Sequence, residues 1–236
     1  MVQLALYWIP KFVSAEIAKR ALGKLVPKNT TSEDIEALTL GLSGNVVNEM
    51  NLMVGDIADM ARQSPKLVEM FAELGADSQD FLNKAKALDD SGEFLNGFDS
   101  FIEQYGSRGP SEIDIIQKKW YEEPLPLLQM VAGFLQKKEG SHREQLNEYI
   151  QKRTQAKEKV LSGSRLKKPL LKRMLYVIEK VGGMREHHKF LAIQTLRIIK
   201  ENVLVISQNL VQSELISMTE DIWYLSIPEL SEVIKD

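Results

Sequence analysis

Two short stretches of this chain hold the residue types that could do chemistry. The first, Tyr105-Gly106-Ser107-Arg108-Gly109-Pro110-Ser111-Glu112-Ile113-Asp114, sets one arginine and two carboxylates among glycines and a proline. Such a run specifies an irregular, tightly held backbone. If it is extended, Glu112 and Asp114 face one side while Ile113 and Ile115 face the other. If Pro110 opens a helix, Glu112 falls in the first turn, where the dipole favours negative charge. The cluster either positions a ligand or a neighbouring domain, or it is an internal lattice that fixes the loop. The second stretch, Gly182-Gly183-Met184-Arg185-Glu186-His187-His188-Lys189-Phe190, breaks a helix and then places Arg185 and Lys189 one turn apart. A shared anion, or the Glu112/Asp114 pair, would relieve their repulsion. Arginine brings a bidentate fork and lysine a point charge, a combination suited to phosphate, carboxylate or several ligand oxygens. Two solvated side chains on a basic helix are the plain alternative.

Other candidates are weaker. His187 and His188 are adjacent, so on a helix they point about 100° apart and do not converge on one metal ion. No metal site is expected. His142 follows Gly140-Ser141, and Ser141 with Glu144 reads as a capping box. A base role for His142 would need an orienting partner that the sequence does not supply. Met50, Met53 and Met60 share a helical face, which suits core filling or the lining of an apolar pocket. There is no GxxxxGK[ST] loop and no GxSxG elbow. No catalytic residue is assigned.

The elements that must position these residues are helical. Leu52, Val54, Ile57 and Met60 approximate a 3.6 period, and Ser64-Pro65 reads as a stop followed by a new start. Gly75 ends the next segment, and Asp77 caps another near Phe81 and Leu82. Further helices are predicted from about Glu93 to Tyr105, Leu127 to Gln136, His142 to Leu161, Leu170 to Val181 and Met184 to Ile216. Ile222-Trp223-Tyr224-Leu225 reads as a short strand, and Pro228 opens a last short helix. Residues 25–32 and 162–164 look linker-like. The expected fold class is all-α, an irregular multi-helix domain with at most one short β element near the C-terminus. The organisation expected is a single helical domain over 1–236, with a lead-in helix and linker over 1–32.

The chain has 236 residues, 44% of them hydrophobic and 27% charged, the composition of an ordinary globule. It lacks cysteine, which excludes a disulfide framework, a thiolate metal site and a cysteine nucleophile. No apolar run approaches the roughly 18 residues of a membrane span, and the N-terminus lacks a signal-peptide pattern. A reducing, cytoplasmic setting is therefore expected. The net charge of −3 hides an asymmetry: residues 137–200 carry 17 Lys and Arg against 6 Asp and Glu, and the rest 13 against 27. The two halves either face each other or are simply solvated. The basic residues are interleaved with aliphatics rather than stacking aromatics, which argues against nucleic acid.

Five ordered blocks resemble the phosphoenolpyruvate synthase-like dikinases. The run from Leu38 to Val46 resembles "LTxGLPGNV", and Tyr105 to Asp114 resembles "YGxRGPGEID". Ser141-His142-Arg143-Glu144 resembles "GHRE", Met184 to Phe190 "LREYPKF", and Glu220 to Leu230 "EDVFFLTLDEL". The nearest subgroup is the rifamycin-inactivating phosphotransferases. Ser43 and Ser111 depart from the pattern, as do His187-His188 where the family has Tyr-Pro. The resemblance implies a middle helical domain lying between an ATP-grasp domain and a swivelling domain whose histidine relays phosphate. That relay histidine matches none of His142, His187 or His188. By the same resemblance, Arg185 and Lys189 contact the acceptor, a bulky hydroxyl-bearing small molecule. Arg108, Glu112, Asp114 and Arg143 hold structural or interdomain positions. ATP and Mg belong to the parent enzyme rather than to this chain, which is not expected to be catalytic by itself. A non-catalytic protein–protein scaffold is the alternative.

Overall fold

The computed structural model describes residues 2–162 and 166–233, with side chains described from Val13. Among the described residues eleven α-helices follow one another: α1 (Val2–Leu25), α2 (Ser32–Ala37), α3 (Val46–Ala61), α4 (Pro65–Ala72), α5 (Ser78–Lys86) and α6 (Gly92–Tyr105), then α7 (Leu125–Leu135), α8 (Ser141–Leu161), α9 (Lys168–Val181), α10 (His187–Gln212) and α11 (Ile227–Val233). Two 3-10 segments, Gly182–Glu186 and Thr219–Tyr224, flank α10. No strand occurs among the described residues, so the all-α expectation holds.

Local chemistry sets the helix starts. Ser64 Oγ accepts the Leu67 N–H at 3.3 Å, and Pro65 occupies the first turn, where its missing N–H costs nothing. Asp77 Oδ1 accepts from Gln79 and Asp80 at 3.0 and 2.9 Å, starting α5. Asn45 does the same for α3 through Val47 and Asn48.

Four expectations are corrected. The stretch predicted as a strand, 222–225, lies mostly in a 3-10 segment. Its cause is Asp221, whose carboxylate accepts the backbone N–H groups of Ser217 and Met218 at 3.0 Å and curls the chain. Ser141 does not cap α8. Gly140, at φ +69°, is the N-cap with no side-chain bond, and Glu144 pairs with Lys138 at 2.7 Å. The helix predicted from Met184 begins instead at His187, after a 3-10 turn, and ends at Gln212. Gly75 falls two residues past Glu73, the C-cap of α4, and among the described residues the left-handed glycines are Gly41, Gly44 and Gly140.

Two apolar clusters form the interior. The larger joins α3 to α7 around Val54, Ile57, Phe94 and Phe101, with Phe71 and Phe81 ring centroids 4.7 Å apart. Met50 is buried in it, and Met53 and Met60 pack against it, so the methionine face fills core. The smaller joins α1, α2, α8 and α9 through Leu22, Leu38, Val160, Leu171, Leu175 and Ile178. Each fully buried side chain of this size contributes roughly 1.5–3 kcal/mol. α8 reaches both clusters: its first turn sits on α3, while Ala156 and Val160 lie in the smaller core.

Candidate functional site

Between α6 and α7 the chain takes a path of turns, neither extended nor helical. Gly106 ends α6 where a Cβ would meet the Ile102 carbonyl oxygen at 2.3 Å. The Arg108 N–H donates to Tyr105 O at 2.9 Å, and two returning bonds close the loop: Trp120 N to Arg108 O at 2.9 Å and Tyr121 N to Gly106 O at 3.0 Å. Ser111 sits at φ +52°, a strained value for a serine. Asp114 Oδ1 accepts from the Ile116 N–H at 3.0 Å, so this carboxylate is spent on its own turn.

One face of α10 grips that loop. Lys189 Nζ lies 2.5 Å from Glu112 Oε2, and the Phe190 ring packs 5.8 Å from that of Tyr105. About two and three turns further on, the Arg197 guanidinium stacks 4.2 Å from the Tyr121 ring centroid and Lys200 Nζ donates to Glu122 Oε2 at 2.8 Å. Lys200 also donates to the Gln117 carbonyl at 3.2 Å. Beside it Lys119 donates to the carbonyls of Ser111 and Asp114 at 3.1 and 2.6 Å. Both lysines are buried, and burial, helped by the neighbouring Lys200 charge, pushes the Lys119 ammonium below its ordinary value. Sequence reasoning missed this pair. The spacing 189, 190, 197, 200 on one helical face was its only signal.

Glu112 is the focus of the loop. Arg108 Nε donates to its Oε1 at 2.6 Å, and the side chains of both residues are largely enclosed. Burial alone would raise the Glu112 carboxyl, but hydrogen bonds from Lys189 and Arg108 outweigh it and hold the group below the usual range. Arg108, Ser111, Glu112, Ile113, Asp114 and Lys189 line a shallow recess of about 610 Å³. Lys189 therefore meets the arginine-bearing loop. Arg185 does not line that recess: it lies in the 3-10 turn, two-thirds exposed, with Nε 3.2 Å from Glu186. The two cations are thus not on one continuous helical face. The cause is Gly183, whose Cα packs so tightly that a Cβ would meet the Ser43 carbonyl oxygen at 2.2 Å.

A second cluster joins α3 to α8. The buried His142 ring has Nε2 2.9 Å from Asp56 Oδ1, and Arg143 binds both oxygens of that carboxylate, with Nε at 2.9 Å. Burial pushes the Asp56 carboxyl up, yet the bonds from Arg143 and His142 leave it below its ordinary value. Asp56 is the orienting partner that sequence reasoning did not find. His142 fits because Gly55 leaves room: a Cβ there would lie 2.5 Å from His142 Cγ. Beside this cluster, Asn48, Asn51, Leu52, Phe134, His142 and Tyr149 line part of a groove of about 850 Å³.

Part of the basic stretch faces acidic residues from elsewhere in the chain. Arg143, Lys159, Lys189 and Lys200 from the basic stretch pair with Asp56, Asp34, Glu112 and Glu122. Among the described residues no three His, Asp or Glu side chains gather as a metal site. Among the described residues no helix is long and apolar enough to cross a membrane.

Residues 7–186 match the family described as the rifampicin phosphotransferase fourth domain. Among curated proteins, a rifampicin phosphotransferase of Streptomyces sviceus is 28% identical over 207 residues, covering 85% of this chain and 24% of the relative. Those of Bacillus cereus and Bacillus subtilis are each 27% identical over 207 residues, with the same coverage. The chain thus spans about a quarter of the length of the curated relatives it matches.

Proposed function

Because the chain belongs to the rifampicin phosphotransferase fourth-domain family, we propose that it holds the acceptor for a multi-domain phosphotransferase. The family match over residues 7–186 carries this reading. A protein–protein scaffold is not favoured, since the match is to one domain of an enzyme. In this reading the acceptor is a bulky molecule bearing a hydroxyl, rifampicin-like in size. Arg185 and Lys189 are its anchors, and ATP-grasp and swivelling histidine domains are the partners.

Lys189 lines the recess, Arg185 stands outside it, and each keeps donors for a ligand. Lysine has three ammonium donors, and Glu112 engages Lys189 through one oxygen, so donors remain for ligand oxygens. Arg185 spends Nε on Glu186 and turns its exposed fork outward. Cations beside the acceptor hydroxyl would stabilise the negative charge on the phosphoryl oxygens as the group passes to it, which favours the transition state. ATP and Mg are assigned to the parent enzyme, as the resemblance to the dikinases implies. The compartment assigned is the cytoplasm.

Rifampicin titrated into the chain, followed by tryptophan fluorescence, tests the reading. Saturable binding is expected, with Arg185→Ala and Lys189→Ala each weakening it about tenfold, the size of one hydrogen bond to a charged group. Unchanged affinity in both variants would remove the anchors, and absence of any binding would remove the acceptor role.

A further inference from the structure

The outer face of α9 carries more positive charge than its fold can use. Leu171, Leu175 and Ile178 turn inward and are buried, so Lys172, Arg173, Tyr176 and Lys180 share the opposite face. None of these three cations pairs with a carboxylate among the described residues. The one acid of α9, Glu179, turns to Lys157 at 2.7 Å. Tyr176 is half-exposed and flanked on its ring by Arg173, 5.4 Å from the centroid, and Lys180, 6.0 Å away. Leu170 beside them is 48% exposed.

This arrangement works against the isolated helix twice. Lys168 and Lys172 stand four apart, a like-charge spacing that destabilises a helix by a few tenths of a kcal/mol. Lys167 and Lys168 also sit at the helix N-terminus, where the macrodipole disfavours positive charge, and no acid occupies the first turn. An anionic partner would remove both costs and cover the exposed ring and leucine.

We propose that the outer face of α9 docks an acidic polypeptide segment carrying an apolar side chain. The segment's carboxylates would meet Lys172, Arg173 and Lys180, and its apolar group would cover Leu170 and Tyr176. Nucleic acid fits less well, because the only aromatic ring on this face already carries a cation at each side and no second ring offers a stack. A lipid surface fits less well too. The inward half of this 14-residue helix is committed to the core, leaving two apolar side chains to insert.

The experiment uses the intact chain and a fluorescein-labelled random copolymer of glutamate and tyrosine, with polyglutamate, an oligothymidylate and phosphatidylserine vesicles as comparison probes. Anisotropy is expected to show binding to the copolymer that weakens with salt and exceeds binding to polyglutamate. The double variant Lys172→Glu, Arg173→Glu is expected to lose about tenfold or more in affinity. Tyr176→Ala is expected to lose several-fold while keeping the wild-type salt dependence. These residues are exposed, so unchanged circular dichroism verifies folding. Equal binding by the charge-reversed variant, or no copolymer binding at low salt, overturns the proposal. Tighter binding of the oligonucleotide or the vesicles overturns it in favour of that partner. None of these readouts involves rifampicin, Arg185 or Lys189, so this proposal and the acceptor reading fail separately.

Discussion

Glu112 receives two cations from different parts of the chain, Arg108 from its own loop and Lys189 from α10. That makes it the residue through which the loop and the helix communicate. Its folded carboxyl lies below the ordinary value of 4.5, so the unfolded chain binds the extra proton. The stabilisation is therefore present above about 4.5 and lost as pH falls through the folded value. Glu112→Gln should cost about 1–3 kcal/mol at pH 7, where it leaves two cations half-satisfied. At pH 3, below the ordinary value, the gap between variant and wild type should narrow, because the unfolded wild-type chain then takes up a proton that the folded carboxyl resists. Urea titrations at both pH values measure this, and an equal gap at both would show that Glu112 contributes shape rather than charge. Asp56 has the same sign, with its own window below 3.8.

At the scale of elements, most caps were legible, Ser141 being misread, and the crossings were not. Ser64-Pro65 and Asp77 mark helix starts by chemistry that acts over three residues, so the sequence displays them. The 3-10 turn before α10 depends on the close approach of Gly183 to Ser43, and the curl at residues 219–224 on two bonds to the Asp221 carboxylate, and period counting misreads both. Of the candidate site, the arginine loop and Lys189 were visible as residues that could meet. The buried lysines and the Asp56–His142 contact were hidden, because each is made by residues more than 75 positions apart or by a loop without a period. The α3–α8 crossing depends on Gly55. Gly55→Ala would gain helix propensity of about 1 kcal/mol, yet its Cβ would lie 2.5 Å from the His142 ring. The ring is fixed by Asp56, so it cannot swing aside without losing that bond. A net loss of about 1–3 kcal/mol is expected, read as a lower thermal midpoint. A rise in that midpoint would mean the crossing relaxes freely.

Across the whole molecule, two apolar clusters are tied by two long helices. α8 pins its first turn to α3 through His142 and Arg143 and buries Ala156 and Val160 in the smaller cluster. α10 runs from the 3-10 turn beside Ser43 to the loop that carries Trp120 of the larger cluster. Two ties make the clusters unfold together, because losing either core strips the partner surface of both helices. A proline at an exposed position inside α8 tests this without touching either core. Gln151→Pro removes one ladder bond and kinks the helix at a cost of about 3 kcal/mol, leaving α10 as the remaining tie. Calorimetry should then show a broadened transition whose total heat exceeds the van't Hoff value, the mark of two units melting in turn. A sharp transition merely displaced to lower temperature would mean that α10 couples the clusters alone. In that case the grip of Lys200 on the loop, rather than the span of α8, makes the domain one cooperative body on which an acceptor site can be held in register.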